Sequence, residues 1–223
     1  MRKYFSIVSM GRSGSTLLER LLASHPDITS LGEVISPYGK YGKNSSIPIR
    51  QFIEHEMFGE RTGICGFKMP FDWMLTYPDV FGAFFDLKFK IIYLKRANKL
   101  DQFISMKLAQ KTGVWESNAN YKGARIVIKI EEIGKFFISA NYADEVLRQM
   151  TSRFPKVEVT YEGLIAGDSH QDILNFLNAS GHPLTTNTVR SRTMSRRDVI
   201  ENFDDVAEAF SGTPHAWFFT APE

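Results

Sequence analysis

Phe5-Ser-Ile-Val-Ser-Met-Gly-Arg-Ser-Gly-Ser-Thr-Leu-Leu-Glu-Arg-Leu-Leu22 passes from an apolar run, through a glycine-bearing turn, into a segment whose leucines 17, 18, 21 and 22 recur at helical spacing. The run Phe5 to Val8 is a strand, and a helix begins between Ser13 and Thr16. Gly11 and Gly14 allow a tight turn and a close approach of the backbone. The first N–H groups of a helix lack intrahelical partners and carry partial positive charge, so a phosphate placed there meets several donors at once. Ser15 and Thr16 add hydroxyls or cap the helix, and Arg12 adds a full charge. The same glycine spacing also suits a plain strand-turn-helix connection.

The turn lacks one part of a nucleotide-triphosphate loop. That loop places Lys directly after its last Gly, for the terminal phosphates, whereas Ser15 follows Gly14 here and Arg12 is the only cation in the turn. A P-loop kinase using Mg-ATP is therefore the competing reading, with Asp86 as the carboxylate for its metal. A nucleotide-binding module without catalysis is a third.

Outward from this stretch, strand and helix patterns alternate. Gly63 to Lys68 reads as a second strand with Lys68 at its end, the edge where open parallel sheets collect ligands. Lys88 to Leu94 is the clearest strand; Arg96 leaves it, and Leu100, Phe103, Ile104 and Leu108 mark the helix that carries Ser105. Ile130 to Phe154 is patterned as a long amphipathic helix, Lys156 to Tyr161 as a strand and Asp172 to Leu177 as a helix. Residues 36–50, with two Tyr-Gly pairs and no period, read as a mobile loop suited to acceptor recognition. The expectation is an α/β fold: three layers, P-loop-like, with a mostly parallel central sheet flanked by helices.

The 223 residues, 43% of them hydrophobic, suit a single domain spanning 1–223, and a net charge of +2 gives no global pull toward nucleic acid. The single Cys65 excludes an internal disulfide and reads as a small buried hydrophobe. No window approaches about 18 apolar residues, so no membrane span is expected and the chain reads as cytoplasmic. Oligomeric state is left open, a homo-oligomer included.

Gly-Arg-Ser-Gly-Ser-Thr-Leu-Leu (11–18), then Ser24-His25-Pro26 and Gly32-Glu33, resembles the 5′-phosphosulfate loop of sulfotransferases that use 3′-phosphoadenosine 5′-phosphosulfate (PAPS). The string from Arg96 through Lys99, Gln102 and Ser105 to Thr112-Gly113 and Trp115 is similar to the bacterial trehalose sulfotransferase branch. Two departures stand out: the Arg-to-Ser spacing is one residue longer than usual, and Ala97-Asn98 replaces the usual Pro.

The resemblance implies transfer of a sulfuryl group from PAPS to the hydroxyl of a small molecule or glycan, leaving adenosine 3′,5′-bisphosphate and requiring no metal. It implies Gly11, Arg12, Ser13, Gly14, Ser15 and Thr16 on the 5′-phosphate, and Arg96 with Ser105 on the 3′-phosphate. Tyr161 would lie near the nucleotide, and Arg190 or Arg192 in a basic loop folded over it. Glu33 is implied as the general base, a role that expects partial burial; Arg12 would hold the leaving phosphate, and Lys68, from its place at a strand end, is the third catalytic candidate. His25 is the alternative base, though local hydrogen bonds at a helix end account for it more simply.

Overall fold

The computed structural model describes residues 2–44, 46–115, 121, 123–188 and 194–222. The chain divides into two compact units, Met1–Lys95 with Asp144–Thr186, and Arg96–Ala143 with Asn187–Glu223.

The first unit is built on a sheet of five strands in the order β2-β3-β1-β4-β5: β1 (Lys3–Ser9), β2 (Ile28–Leu31), β3 (Ile64–Pro70), β4 (Lys90–Lys95) and β5 (Lys156–Thr160). Every pairing is parallel, with Phe5 opposite both Gly66 and Lys90. Such sheets are covered on both faces, which is why β1 and β4 read as nearly continuous apolar runs. Successive side chains go to opposite layers. Phe5, Ile7, Ile92 and Leu94 pack with Leu18, Leu21 and Leu22 of α1 (Ser15–Ala23). Val8, Phe67, Ile91 and Tyr93 pack on the other face with Phe52, Met74 and Phe84. Gly66 is required at the centre, because a Cβ there would stand 2.4 Å from the Phe5 ring.

Helices follow the strands in turn. A short helix, α2 (Ile49–Gln51), continues as a π-helical stretch to Met57; α3 (Phe71–Thr76) and α4 (Val80–Asp86) lie between β3 and β4. After β5 come α7 (Tyr161–Ala166) and α8 (His170–Leu177). The β1 connection leads toward the β2 edge and the β4 connection toward the β5 edge, so the topology reverses between β1 and β4. The crevice at the carboxyl ends of such strands is where ligands bind in open α/β sheets.

Two expectations need correcting. The 36–50 segment is anchored, with Ile35, Ser36, Tyr41 and Ile49 buried and the Tyr41 hydroxyl donating to the Ile47 carbonyl at 3.1 Å. Lys68 is not terminal in its strand, since β3 continues to Pro70.

The second unit holds α5 (Lys99–Thr112), α6 (Ile130–Met150) through residue 143, α9 (Arg196–Val199), α10 (Phe203–Ala209) and α11 (Trp217–Thr220). It has its own core, in which Leu100, Phe103, Leu108 and Phe137 pack with Val206, Phe210 and Phe218. A parallel bridge joins Ile126 to Ile200.

Candidate active site

The turn after β1 is bent by two left-handed residues, Arg12 at φ 63° and Gly14 at φ 90°. At Gly11 a Cβ would meet nothing within 4 Å, so the demand for an unusual backbone falls on Arg12 instead. A non-glycine residue held there costs about 1–3 kcal/mol, strain that gathers at functional sites. At Gly14 a Cβ would stand 2.3 Å from the Tyr161 ring. Tyr161 is placed by Thr160, whose hydroxyl caps α7 by accepting from the Gly163 N–H at 3.1 Å.

Gly14 is also the N-cap of α1, and as a glycine it brings no side-chain cap bond of its own. Capping by Ser15 or Thr16 is thereby corrected. The first turn of α1 carries no acidic residue, so the positive end of the helix keeps its full attraction for an anion.

The Thr16 hydroxyl serves Lys68, whose Nζ donates to it at 2.9 Å. Lys68 is 7% exposed and also pairs with Glu33 Oε1 at 3.2 Å. The other carboxylate oxygen, Oε2, accepts from the Trp73 indole N–H at 3.2 Å. One hydrogen-bonded chain thus runs from the start of α1, through a buried ammonium, to a carboxylate fixed on both oxygens. Parallel pairing makes this possible, because Lys68 lies opposite Ile7, just before the turn. Glu33 is less enclosed than expected; its side chain is 41% exposed. The sequence marks Trp73 only as an aromatic side chain able to stack on a sugar; its bond to Glu33 was not legible there, since only the fold brings the indole N–H to a carboxylate 40 residues earlier.

Other titratable groups sort themselves around this chain. Half-buried Glu19, one turn after Thr16, is held above the ordinary carboxylate range by desolvation, with Lys68 and Arg20 opposing. His25 is 2% exposed; the Asp27 N–H donates to Nδ1 at 3.1 Å, so Nε2 carries the proton and meets the Ser180 carbonyl at 3.1 Å. Both nitrogens are committed to the framework, which removes His25 as a base. Asp86, the carboxylate of the kinase reading, ends α4 and pairs with Arg50 at 3.3 Å. Cys65 is fully buried, and burial pushes its thiol up.

In the second unit, Arg96 is 7% exposed and its Nη2 lies 3.8 Å from Asp101 Oδ2. Arg196 grips the same carboxylate with two bonds of 2.9 Å. Ser105 follows Asp101 by one turn, on the same face of α5. Asn98, standing near the missing Pro, caps α5 by accepting from the Asp101 N–H at 3.1 Å and donates to the Phe218 carbonyl at 2.9 Å. Arg190 and Arg192 lie outside the described residues.

Fold and turn together define an α/β protein with an all-parallel five-stranded sheet and a glycine-bearing turn between its central strand and first helix. Residues 5–86 match the model of the Sulfotransferase family, a span covering the turn, Glu33, Lys68 and Trp73. Nodulation protein H of Rhizobium tropici is 24% identical over 96% of this chain and 92% of its own length. Two solved structures share the fold. Mouse sulfotransferase SULT7A1 complexed with PAP has a TM-score of 0.54 and 13% identity, covering 98% of this chain and 87% of its own. The sulfotransferase domain from the curacin biosynthetic pathway has a TM-score of 0.51 and 16% identity, covering 89% and 82%. Residues 5–86 are thus similar to the Sulfotransferase family, and nearly the whole chain is similar to nodulation protein H. No helix among the described residues is long and apolar enough to cross a membrane.

Proposed function

We propose that this enzyme transfers the sulfuryl group of PAPS to a hydroxyl of a carbohydrate acceptor. The observation that carries the reading is the Thr16–Lys68–Glu33 chain, which ties an anion-binding helix start to a carboxylate able to take a proton. The solved relative complexed with PAP supports the choice of donor, and the aromatic pair of Tyr38 and Trp73 beside Glu33 supports a sugar acceptor.

In the reaction, the acceptor oxygen attacks sulfur while its proton passes to Glu33. The bond from sulfur to the bridging oxygen of the 5′-phosphate breaks, and its electron pair stays on that oxygen. The N–H groups of residues 13–16, with Arg12 and Lys68, stabilise the charge that collects there. Little covalent work falls to the protein in transfers of this kind, so alignment and electrostatics supply most of the acceleration. Arg96 and Ser105 take the 3′-phosphate role, and Tyr161, against Gly14, closes one side of the 5′-phosphate turn.

Thermal stabilisation by adenosine 3′,5′-bisphosphate, compared with 5′-AMP and Mg-ATP, tests the donor, because a ligand bound only to the folded state raises the melting point. A selective response to the bisphosphate is expected; a response to Mg-ATP alone would move the assignment to a kinase. Glu33→Gln is then expected to lower kcat by about 10²–10⁴-fold with bisphosphate binding retained. Arg12→Ala should lower kcat far more than nucleotide affinity, and equal losses in both would remove its role at the transition state.

A further inference from the structure

The loop that follows Glu33 holds an exposed aromatic side chain that the reaction above does not use. Tyr38 is 85% exposed, although its loop is pinned by buried Ser36 and Tyr41 on either side. The turn is closed by the Gly39 N–H on the Ser36 carbonyl at 3.1 Å, and the Ser36 hydroxyl donates to the Glu33 carbonyl at 3.1 Å. Tyr38 is therefore held out by a fixed turn next to Glu33. Its ring meets that of Trp73 with centroids 6.1 Å apart and planes at 75°, and Trp73 is the residue that donates to Glu33 Oε2.

We infer that Tyr38 and Trp73 form the acceptor subsite, a right-angled aromatic corner that takes one pyranose ring and presents its hydroxyl to Glu33. The inference rests on the sulfuryl-transfer reading. An aromatic face is electron-rich, and the flat side of a pyranose offers weakly positive C–H bonds to it. A planar phenolic acceptor asks instead for two parallel walls. A corner supplies one face, one edge and a phenolic hydroxyl, which matches a ring that is apolar on its faces and hydroxylated around its rim. Few polar groups fixing orientation beside apolar walls is the usual build of a small-molecule site. Trp73 has a second part as a positioning residue, because its N–H fixes the carboxylate oxygen that Lys68 leaves open.

The test uses the full chain with PAPS and three probes: trehalose, the acyclic polyol mannitol and the planar 2-naphthol. Transfer to trehalose in preference to the other two is expected. Tyr38→Ala should raise the trehalose KM about three- to tenfold with kcat within roughly twofold, the exposed position sparing the fold. Trp73→Phe keeps a ring face and loses the N–H, so kcat should fall about tenfold or more with KM nearly unchanged. Equal use of mannitol or 2-naphthol, or wild-type kinetics in Tyr38→Ala, would overturn the inference. Absence of trehalose turnover with the bisphosphate thermal response intact would overturn it while the donor assignment stands. Loss of that thermal response as well would overturn the underlying reading.

Discussion

Helices α1 and α5 both start a few residues beyond a strand of the sheet, and their starts are built in opposite ways. Helix α5 is closed by its own residues: Asn98 caps it, Asp101 sits in its first turn, and two arginines surround that carboxylate. Helix α1 starts on a left-handed glycine with no side-chain cap and no acid in its first turn. A capped, acid-bearing start has a carboxylate of its own at its positive end, whereas the first turn of α1 brings none and lies beside Arg12 and Lys68.

The largest effect is expected where α5 is most closed. Asp101→Ala leaves buried Arg196 without its bidentate partner, and removing one half of a buried ion pair costs about 3–5 kcal/mol. Urea denaturation measures this loss, and a cost under about 1 kcal/mol would mean that water or the carbonyls of Ala221 and Pro222 satisfy Arg196 unaided. Next comes Gly14→Ala, which forces a methyl group toward the Tyr161 ring at a left-handed position. It should cost about 1–3 kcal/mol and abolish the thermal response to the bisphosphate; an unchanged response would show that the open start of α1 is not the anion site.

Asn98→Ala removes the α5 cap and should cost about 1 kcal/mol. No equivalent substitution exists on α1, where Ser15→Ala should be close to neutral for stability because the N-cap there is Gly14. The smallest effect concerns Glu19. Its carboxyl binds the proton more tightly folded than unfolded, so its contribution favours the fold at acid pH and is lost as pH rises through its raised value. Glu19→Gln should therefore raise the melting temperature at pH 7, by under about 4 °C, and the gain should vanish at pH values below the ordinary carboxylate range. A gain that persists in acid would point to packing rather than charge.

Much of this was legible in the chain because it is local. The turn from Gly11 to Thr16, the apolar runs of β1 and β4 and the spacing of α5 are written within a few residues each. Glu33 and Lys68 were legible as candidates, one from its resemblance and one from its place near a strand end. Their pairing was not, because it depends on β2 and β3 lying side by side. The same reason hides the bond of Trp73, whose indole finds Glu33 only after α3 folds back from β3, and that of Arg196, which meets Asp101 across 95 residues of sequence. Asn98 was visible as a departure from a motif, yet its reason appears only with the cap it forms. The 36–50 segment misled because glycines and prolines suggest freedom, while Tyr41 anchors it from the middle.

The register of β1 has a consequence during synthesis. As the central strand it is synthesised before both of its neighbours, residues 64–70 and 90–94, so Phe5 cannot meet Lys90 until the chain has been translated that far. At common elongation rates that wait lasts on the order of ten seconds. Through that interval Phe5, Ile7 and Val8 form an unpaired apolar edge on the nascent chain, the segment a chaperone would hold and the one around which a stalled product would aggregate.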